Sequence, residues 1–168
     1  MRQQPQVMDS LVLWLHGEWL ARGPRDEQSS ARAYTARYQQ MQQHLGGSAI
    51  PTTFVALAHN SPVGCISLTR LQAANKHFAR GLWMTNLYVV PAAREQGVAS
   101  ALLAGAEQQA LHLNEAVLYL FTDSAADFYR RRGWQQCLNS VVPKSADDRR
   151  VCVFKKHLAN MGGSGGVV

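Results

Sequence analysis

The sequence predicts an α+β fold in which helices surround a mixed β-sheet, and three observations lead to this prediction. The 168 residues are 46% hydrophobic and 17% charged, which fits one globular domain with a substantial core. Segments of helical and of alternating periodicity follow in the order helix, helix, hairpin, strand, helix, strand, helix, hairpin. Turn residues separate these segments, and we find no internal repeat.

The first third of the chain predicts two helices. Residues 8–20 and 30–45 carry apolar side chains at helical spacing. Asp9 or Ser10 is the expected N-cap of the first helix, and Gly46 is expected to end the second. The second helix places a stripe of residues on one face, which we interpret as core: Tyr34, Tyr38, Met41 and Leu45.

A hairpin, a longer strand and a helix are expected next. Residues 53–59 and 63–70 are apolar runs on either side of a polar turn, which is typical of a β-hairpin. Residues 82–90 alternate as a strand does, and Pro91 ends this strand because proline cannot donate to a ladder. After a turn, four apolar residues share one helical face: Leu103, Ala106, Ala110 and Leu113.

The last third predicts a buried strand, a short helix and a second hairpin. Residues 117–122 form a continuous apolar run, which suits a buried strand. Asp123 or Ser124 is expected to cap a short helix that ends at Gly133. Two further strands are predicted at residues 134–142 and 150–157.

The turn between strand 82–90 and the following helix has the features of an anion-binding site. Arg94 lies three residues before Gly97, and the helix begins just after this glycine. The first N–H groups of a helix have no partner within it, and the helix dipole favours negative charge there. A glycine also lets phosphate oxygens approach the backbone closely. The turn therefore predicts binding of a pyrophosphate.

Two motifs together resemble those of the GNAT acetyltransferase superfamily. Arg94-x-x-Gly97-x-Ala99 resembles the coenzyme A signature of that family. Further along the chain, the block from Ala125 to Trp134 resembles its Phe-Tyr-x-x-x-Gly-Phe/Trp element. The order and separation of the two motifs match the family, and the resemblance is best over residues 53–158.

The resemblance implies a fold and a domain organisation. The central sheet is expected to be mixed, mostly antiparallel, flanked by helices and splayed at an acetyl-CoA cleft. A single N-acetyltransferase domain is expected over residues 1–160. The glycine-rich residues 161–168 are expected to form a flexible tail.

The resemblance also implies the residues that bind acetyl-CoA. The Leu87 amide is expected to bond the acetyl carbonyl, and the Val89 backbone to pair with the pantetheine arm. Backbone amides from Gln96 to Ser100 are expected to bind the pyrophosphate, assisted by the Arg94 side chain. The complete expected set is Leu87, Tyr88, Val89, Arg94, Glu95, Gln96, Gly97, Val98, Ala99, Ser100, Phe128 and Arg132.

Tyr129 occupies the position of the family's general acid, four residues before Gly133. A phenol is a suitable proton donor to the thiolate of coenzyme A. The alternative is that Tyr129 only packs. Many relatives have a glutamate near Thr85 or Asn86 as the base, and this chain has none there. Water, a backbone carbonyl or a side chain such as Asp123 remain alternatives, so no base is assigned.

The expected function is transfer of the acetyl group to a primary amine, by direct attack within a ternary complex. A non-catalytic coenzyme A-binding regulator of the same fold is the alternative. The acceptor stays open between a small amine and a peptide or protein N-terminus. Basic residues before strand 82–90 are expected to flank the acceptor entrance: Arg70, Lys76 and Arg80.

Composition argues against several other partners and cofactors. The net charge of +6 comes from scattered basic residues without interleaved aromatics, so no nucleic-acid partner is expected. Cys65, Cys137 and Cys152 lack metal-ligand spacing and are expected to be buried reduced thiols, with no metal site. No apolar run reaches the ~18 residues of a membrane span, and the polar N-terminus lacks a signal core. A cytoplasmic protein without a membrane partner is therefore expected, and a homodimer stays open.

Overall fold

The computed structural model describes residues 5–21, 23, 26–46, 49–72, 79–141 and 150–158. The helices are α1 (Pro5–Leu20), α2 (Glu27–Gln43), a 3₁₀ helix (Pro91–Ala93), α3 (Val98–His112) and α4 (Ala126–Arg130). The strands are β1 (Thr52–Ala58), β2 (Ser61–Leu71), β3 (Gly81–Val89), β4 (Val117–Thr122), β5 (Gln135–Val141) and β6 (Arg150–His157).

The six strands form one sheet with the order β1-β2-β3-β4-β6-β5. The pairs β1/β2, β4/β6 and β5/β6 are antiparallel, whereas β3 and β4 are parallel. The predicted class, a mixed and mostly antiparallel sheet flanked by helices, is therefore confirmed. No helix of the described residues is long and apolar enough to cross a membrane.

The chain divides into two compact units. The first contains residues 1–69 and 86–105, and the second contains residues 70–85 and 106–168. The expectation of one domain over residues 1–160 stays a prediction. Residues 161–168, the predicted tail, lie outside the described residues.

The core of the first unit is built mainly from α1. The buried cluster comprises Val7, Met8, Leu11, Val12, Leu15, Met41 and Cys65. Tyr34 and Tyr38 pack against it, so the predicted stripe on α2 is confirmed for these tyrosines and Met41. Leu45 lies beyond the end of the helix and is exposed, so its assignment to the core was wrong.

The starts of the two N-terminal helices are set by different residues. The predicted cap at Asp9 or Ser10 was wrong, because α1 already begins at Pro5, and proline is tolerated in a first helical turn. The second helix begins after Asp26, whose carboxylate accepts a hydrogen bond from the Ser29 amide at 2.8 Å. It therefore begins slightly earlier than the sequence predicted.

The β1/β2 hairpin turns over two residues. His59 and Asn60 both have positive φ, as a tight two-residue hairpin turn requires. Ala58 is paired directly with Ser61 across this turn. The predicted hairpin is confirmed, with a turn shorter than the polar run in the sequence.

The core of the second unit lies around β4 and β6. Five side chains at most 1% exposed form its centre: Leu82, Trp83, Leu118, Leu120 and Phe154. The Glu107 carboxylate accepts hydrogen bonds from the Trp134 indole N–H at 3.0 Å and from the Lys156 ammonium at 2.7 and 2.9 Å. This half-buried group links α3 to β6 and to the start of β5.

The short helix α4 begins differently from the prediction. The hydroxyl of Thr122 accepts bonds from the amides of Ser124 and Ala125 at 3.4 and 3.0 Å. The residue preceding the helix is Ala125, and no side chain caps the helix at that position. The prediction of Asp123 or Ser124 as the cap was therefore wrong, because the last residue of β4 supplies the acceptor.

All three cysteines carry free thiols in the structure, but their exposure differs. Cys65 is buried and Cys152 is half-buried, whereas Cys137 is exposed. The expectation of three buried thiols was therefore wrong for Cys137.

Candidate active site

The turn before α3 has a backbone suited to binding an anion. Glu95 and Gly97 have φ values of +62° and +81°, whereas Arg94 has a φ of −69°. Arg94 is extended, with a ψ of 161°, so the two residues of positive φ are the feature that this turn shares with backbone turns whose N–H groups bind anions. The first α-helical bond of α3 runs from the Ala101 amide to the Gly97 carbonyl, so the preceding amides belong to the helix start.

Space is open at the glycine of this turn. A Cβ built on Gly97 would meet no atom within 4 Å, so steric crowding does not account for the glycine. Its positive φ is the reason for the residue type, since side chains other than glycine rarely adopt it. Val98, Ala99 and Ser100 follow as the first turn of α3 and are half-buried.

Arg94 links this turn to the end of β3. Its Nε donates a hydrogen bond to the Val89 carbonyl at 3.0 Å. Its guanidinium carbon lies 5.9 Å from the centre of the Tyr88 ring, and that ring stacks on Trp14 of α1 at 5.4 Å. The first unit therefore brings together the predicted residues at the end of β3 and those of the turn.

The end of β3 is also held closely against β2. The Val90 amide donates to the Val63 carbonyl at 2.9 Å. A Cβ on Gly64 would lie 2.8 Å from the Tyr88 carbonyl oxygen, which real Cβ atoms essentially never do. Gly64 is therefore required by the approach of the two strands. Its position inside an apolar strand was the available signal for this contact.

Asn86 distorts the backbone of β3 immediately before Leu87. Its φ is +56°, an uncommon value for a residue in a strand, although asparagine tolerates it better than most. Its side-chain amide donates to the Ser67 hydroxyl at 3.2 Å, and its carbonyl accepts from the Cys65 thiol at 3.4 Å. The sequence analysis missed this distortion, for which an asparagine within a strand was the only signal.

The parallel ladder between β3 and β4 is short. Among the described residues it consists of the pairs Leu82↔Leu118 and Trp83↔Tyr119. β3 itself continues to Val89. The residues of β3 that were predicted to bind acetyl-CoA, Leu87 to Val89, thus follow the part of β3 that is paired with β4.

Tyr129 lies in the second unit, on α4, and its side chain is 6% exposed. Its ring packs edge-on against Phe128 at 5.1 Å and Trp134 at 6.0 Å, and tilted against Phe154 at 6.2 Å. Burial raises the pKa of Tyr129 to about 12. The phenol is therefore protonated at neutral pH. In this form it can donate a proton but cannot accept one as a base.

Phe128 on α4 contacts Arg132, which lies in the turn after this helix. The Arg132 guanidinium carbon lies 3.7 Å from the centre of the Phe128 ring, and its Nη1 donates to the Phe128 carbonyl at 3.0 Å. The predicted site residues thus form two groups. Leu87–Val89 and Arg94–Ser100 belong to the first unit, and Phe128, Tyr129 and Arg132 to the second.

Asp123, the side chain that the sequence left open as a base, is exposed in the structure. Glu95, His59 and His112 are exposed as well. Arg70, one of the basic residues expected near the acceptor entrance, forms an ion pair with Glu115. Arg80 is exposed, and Lys76 lies outside the described residues. Among the described residues, no group of three potential metal ligands is present.

A family model described as an acetyltransferase (GNAT) domain matches residues 50–136, which is more than half of the chain. The chain belongs to the GNAT acetyltransferase family. The match includes the β1/β2 hairpin, the turn at Gly97 and the element around Tyr129. No curated protein matches the chain by sequence.

Solved GNAT structures have the same fold. The ribosomal-protein-alanine N-acetyltransferase from Brucella melitensis is 18% identical, with a TM-score of 0.70 over 94% of this chain and 98% of its own. An aminoglycoside 6'-N-acetyltransferase complexed with coenzyme A is 14% identical, with a TM-score of 0.68 over 95% of both chains. An acetyltransferase from Bacillus anthracis in complex with acetyl coenzyme A is 21% identical, with a TM-score of 0.59 over 70% of this chain and 68% of its own.

Proposed function

We propose that this GNAT protein is an acetyl-CoA-dependent N-acetyltransferase, in which a primary amine attacks the thioester directly within a ternary complex. The turn from Arg94 to Gly97 carries this proposal. Its two left-handed residues precede a helix start, which suits a pyrophosphate in a chain whose family transfers acetyl groups.

The turn binds the phosphates through backbone and side-chain donors. Amides from Gln96 to Ser100 donate to the phosphate oxygens, and the dipole of α3 adds favourable potential. The Nε of Arg94 is already bonded to Val89, so the terminal nitrogens of its guanidinium are the ones that meet a phosphate. Glu95 is exposed and contributes its backbone rather than its carboxylate.

The end of β3 binds the acetylated arm. Pantetheine pairs with the Val89 backbone, and the Leu87 amide donates to the acetyl carbonyl. Such a donor stabilises the negative charge that develops on the carbonyl oxygen as the amine attacks. The short β3/β4 ladder supports this assignment, because the Leu87–Val89 segment follows the part of β3 that is paired with β4.

Proton transfer completes the reaction. The amine nitrogen bonds to the acetyl carbon, the carbon–sulfur bond breaks, and Tyr129 gives its proton to the departing thiolate. The assignment of Tyr129 is supported by its position four residues before Gly133 within the matched GNAT domain. Its phenol, whose pKa burial raises to about 12, is in the acid form at neutral pH, as that of an exposed tyrosine also is. The attacking amine loses its proton to water or to a group that we leave unassigned. Phe128 and Arg132 remain proposed cofactor contacts.

The acceptor is a small amine or a peptide or protein N-terminus. The solved relatives include a ribosomal-protein-alanine N-acetyltransferase and an aminoglycoside 6'-N-acetyltransferase, and both are less than 20% identical to this chain. Their names therefore define the range of acceptors to test. We further propose a cytoplasmic protein with one domain over residues 1–160.

A non-catalytic coenzyme A-binding regulator is the second candidate. One observation favours it: Thr85 and Asn86 supply no carboxylate on β3, and the Asn86 side chain is bonded to Ser67. Such a protein would bind the cosubstrate without releasing its thiol.

One pair of measurements separates the two candidates. Calorimetry gives the affinities for coenzyme A and acetyl-CoA, and a thiol reagent follows coenzyme A release with a panel of amines and peptides. Binding together with acceptor-dependent release supports the enzyme. Tight binding without release across the panel supports the regulator. No binding of either molecule would contradict both.

A further inference from the structure

A partly buried chain of hydrogen bonds leads from the residue after α2 to the distortion in β3. His44 Nδ1 lies 2.8 Å from the Thr53 hydroxyl, which lies 2.8 Å from the Ser67 hydroxyl. Ser67 in turn accepts from the Asn86 side-chain amide at 3.2 Å. We call these four residues the relay. Thr53 and Ser67 are cross-strand partners in the β1/β2 ladder, which places their hydroxyls together.

The relay is costly to bury unless its groups are satisfied. Ser67 is completely buried and His44 is 9% exposed. An apolar set of side chains would fill these positions without that requirement. The relay therefore calls for an explanation beyond packing.

The hydrogens of the relay have one direction that satisfies every group. The Asn86 nitrogen can only donate, so Ser67 accepts from it. The Ser67 hydrogen is then available for Thr53, and the Thr53 hydrogen for His44 Nδ1. The reverse direction would leave the Ser67 hydrogen without an acceptor among the described residues. Burial lowers the pKa of His44 and outweighs the opposite effect of a hydrogen bond to the Thr52 backbone, so a neutral ring is favoured. Of its two tautomers, the one protonated at Nε2 accepts at Nδ1, as this direction requires.

The relay ends at Asn86, whose backbone conformation sets the direction of the Leu87 N–H used in the proposed reaction. Asn86 has a φ of +56°, and the peptide that follows it carries the Leu87 N–H. If Asn86 relaxed to the extended conformation of an ordinary strand, that peptide would turn and its N–H would point elsewhere. The bond from Asn86 to Ser67 opposes this relaxation.

We propose that His44, Thr53 and Ser67 are positioning residues that hold Asn86 in its left-handed conformation and thereby orient the Leu87 amide towards the acetyl carbonyl. The inference rests on the proposed function, in which that amide is the donor to the thioester. None of the three residues contacts the cosubstrate. Their effect passes through the backbone of Asn86.

Two variants break the relay with little change in shape. Ser67→Ala removes the central hydroxyl, and Thr53→Val replaces a hydroxyl with a methyl group in a strand that tolerates β-branched residues. Asn86→Gly is the compensating variant, because glycine adopts the left-handed conformation without a side-chain bond. Ser30→Ala is the matched control, since it breaks another serine–histidine bond in the same unit, to His16 at 3.1 Å.

The readout is the carbonyl stretch of acetyl-CoA labelled with ¹³C at the carbonyl carbon, measured by isotope-edited infrared spectroscopy. A hydrogen bond from Leu87 lowers this frequency when acetyl-CoA binds. We expect Ser67→Ala and Thr53→Val to return it towards the free value, while the affinity for coenzyme A, which lacks the acetyl group, stays within about twofold of wild type. The rate of acetyl transfer should fall at least about tenfold. This is less than the roughly 10²-fold to 10³-fold loss on removal of an oxyanion donor, because the Leu87 N–H is misdirected rather than removed.

The double variant Ser67→Ala/Asn86→Gly should recover the lowered frequency, and Ser30→Ala should not change it. An unchanged frequency in the folded relay variants, or no recovery in the double variant, would overturn the inference. If Ser67→Ala does not fold, Thr53→Val decides the question, with Thr53→Val/Asn86→Gly as its compensating double variant. Failure of the wild type to bind acetyl-CoA would instead contradict the proposed function. A wild-type frequency equal to that of free acetyl-CoA would overturn the role of Leu87, and with it this inference.

Discussion

The Nε of Arg94 donates to the Val89 carbonyl at 3.0 Å, so the arginine of the coenzyme A signature is bonded to the strand that precedes its own turn. A residue expected to bind a phosphate therefore also fixes the geometry of the turn. The two roles use different nitrogen atoms of one guanidinium group. They can be separated by substitution, because lysine retains the charge but carries its donors on one nitrogen and has no equivalent of Nε.

We expect Arg94→Lys to weaken coenzyme A binding by roughly tenfold, and Arg94→Ala by more. Lysine preserves the positive charge, but its single ammonium does not reproduce the separate positions of Nε and the terminal nitrogens of arginine, whereas alanine removes both interactions. Calorimetric titration with coenzyme A at low and at physiological salt measures the effect. Equal, wild-type affinities in both variants would show that the phosphates bind elsewhere.

Substitution of Gly97 tests whether the turn binds phosphate. A side chain at this position has open space, so its cost comes from the φ of +81° and from any charge that it introduces. We expect Gly97→Glu to abolish measurable binding of coenzyme A. Gly97→Gln is the matched control, because it has the same size and backbone strain without the charge, and it should bind more tightly. Affinities that do not differ between the two variants would contradict a phosphate at this turn.

Tyr129→Phe should leave acetyl-CoA affinity nearly unchanged and lower kcat by about 10²-fold. Phenylalanine retains the ring contacts with Phe128 and Trp134 and removes only the hydroxyl. The pKa of about 12 adds a second expectation. Because the acid form persists to that pH, deprotonation of Tyr129 should cause no loss of kcat between about pH 7 and 10. A wild-type rate in the variant would reduce Tyr129 to a packing residue.

The stability of the protein should fall in mild acid, in part because of His44. Burial lowers the pKa of His44 below the 6.5 of an exposed histidine, so the unfolded chain takes up a proton more readily than the folded one. The contribution is therefore fully present above about pH 6.5 and is lost as the pH falls towards the folded pKa. Urea unfolding between pH 8 and 5 should show a shallower pH dependence in His44→Gln. An unchanged slope in this variant would contradict the expectation.

Removal of the Glu107 carboxylate should destabilise the second unit by about 2 kcal/mol. Glu107→Ala leaves the half-buried Lys156 ammonium and the Trp134 indole N–H without their acceptor. Asp127→Ala is the control, since its ion pair with Arg130 is exposed and should contribute less than about 1 kcal/mol. Equal losses in chemical unfolding of the two variants would show that burial of the Glu107 cluster adds nothing.

Local patterns predicted most of the fold. The strand Val117–Thr122 matches its predicted bounds because its signal is a continuous apolar run, complete within six residues. The positive φ of Gly97 follows from the residue type and its place before a helix. In contrast, local patterns did not predict the start of α4 or the exposure of Leu45. The first depends on hydrogen bonds from the Ser124 and Ala125 amides to the Thr122 hydroxyl, and the second on the end of α2 at Gln43.

The candidate site was predicted less completely, because part of it depends on contacts between distant segments. The turn at Arg94 and the position of Tyr129 could be read from motifs. The relay could not, since it combines His44, which follows α2, with one residue from each of three strands, and these meet only in the folded sheet: Thr53, Ser67 and Asn86. The missing glutamate near Asn86 was visible in the sequence, whereas the left-handed backbone there was not.

The contact between Gly64 and the Tyr88 carbonyl limits the substitutions that position 64 can tolerate during evolution. Every other amino acid has a Cβ, and at this position it would lie 2.8 Å from the Tyr88 carbonyl. Any missense change at this codon must therefore displace the end of β3, next to the proposed pantetheine contact. Gly17 and Gly105 have no atom within 4 Å of an added Cβ. In a saturation library selected for function, position 64 should stay glycine while these two helical positions vary.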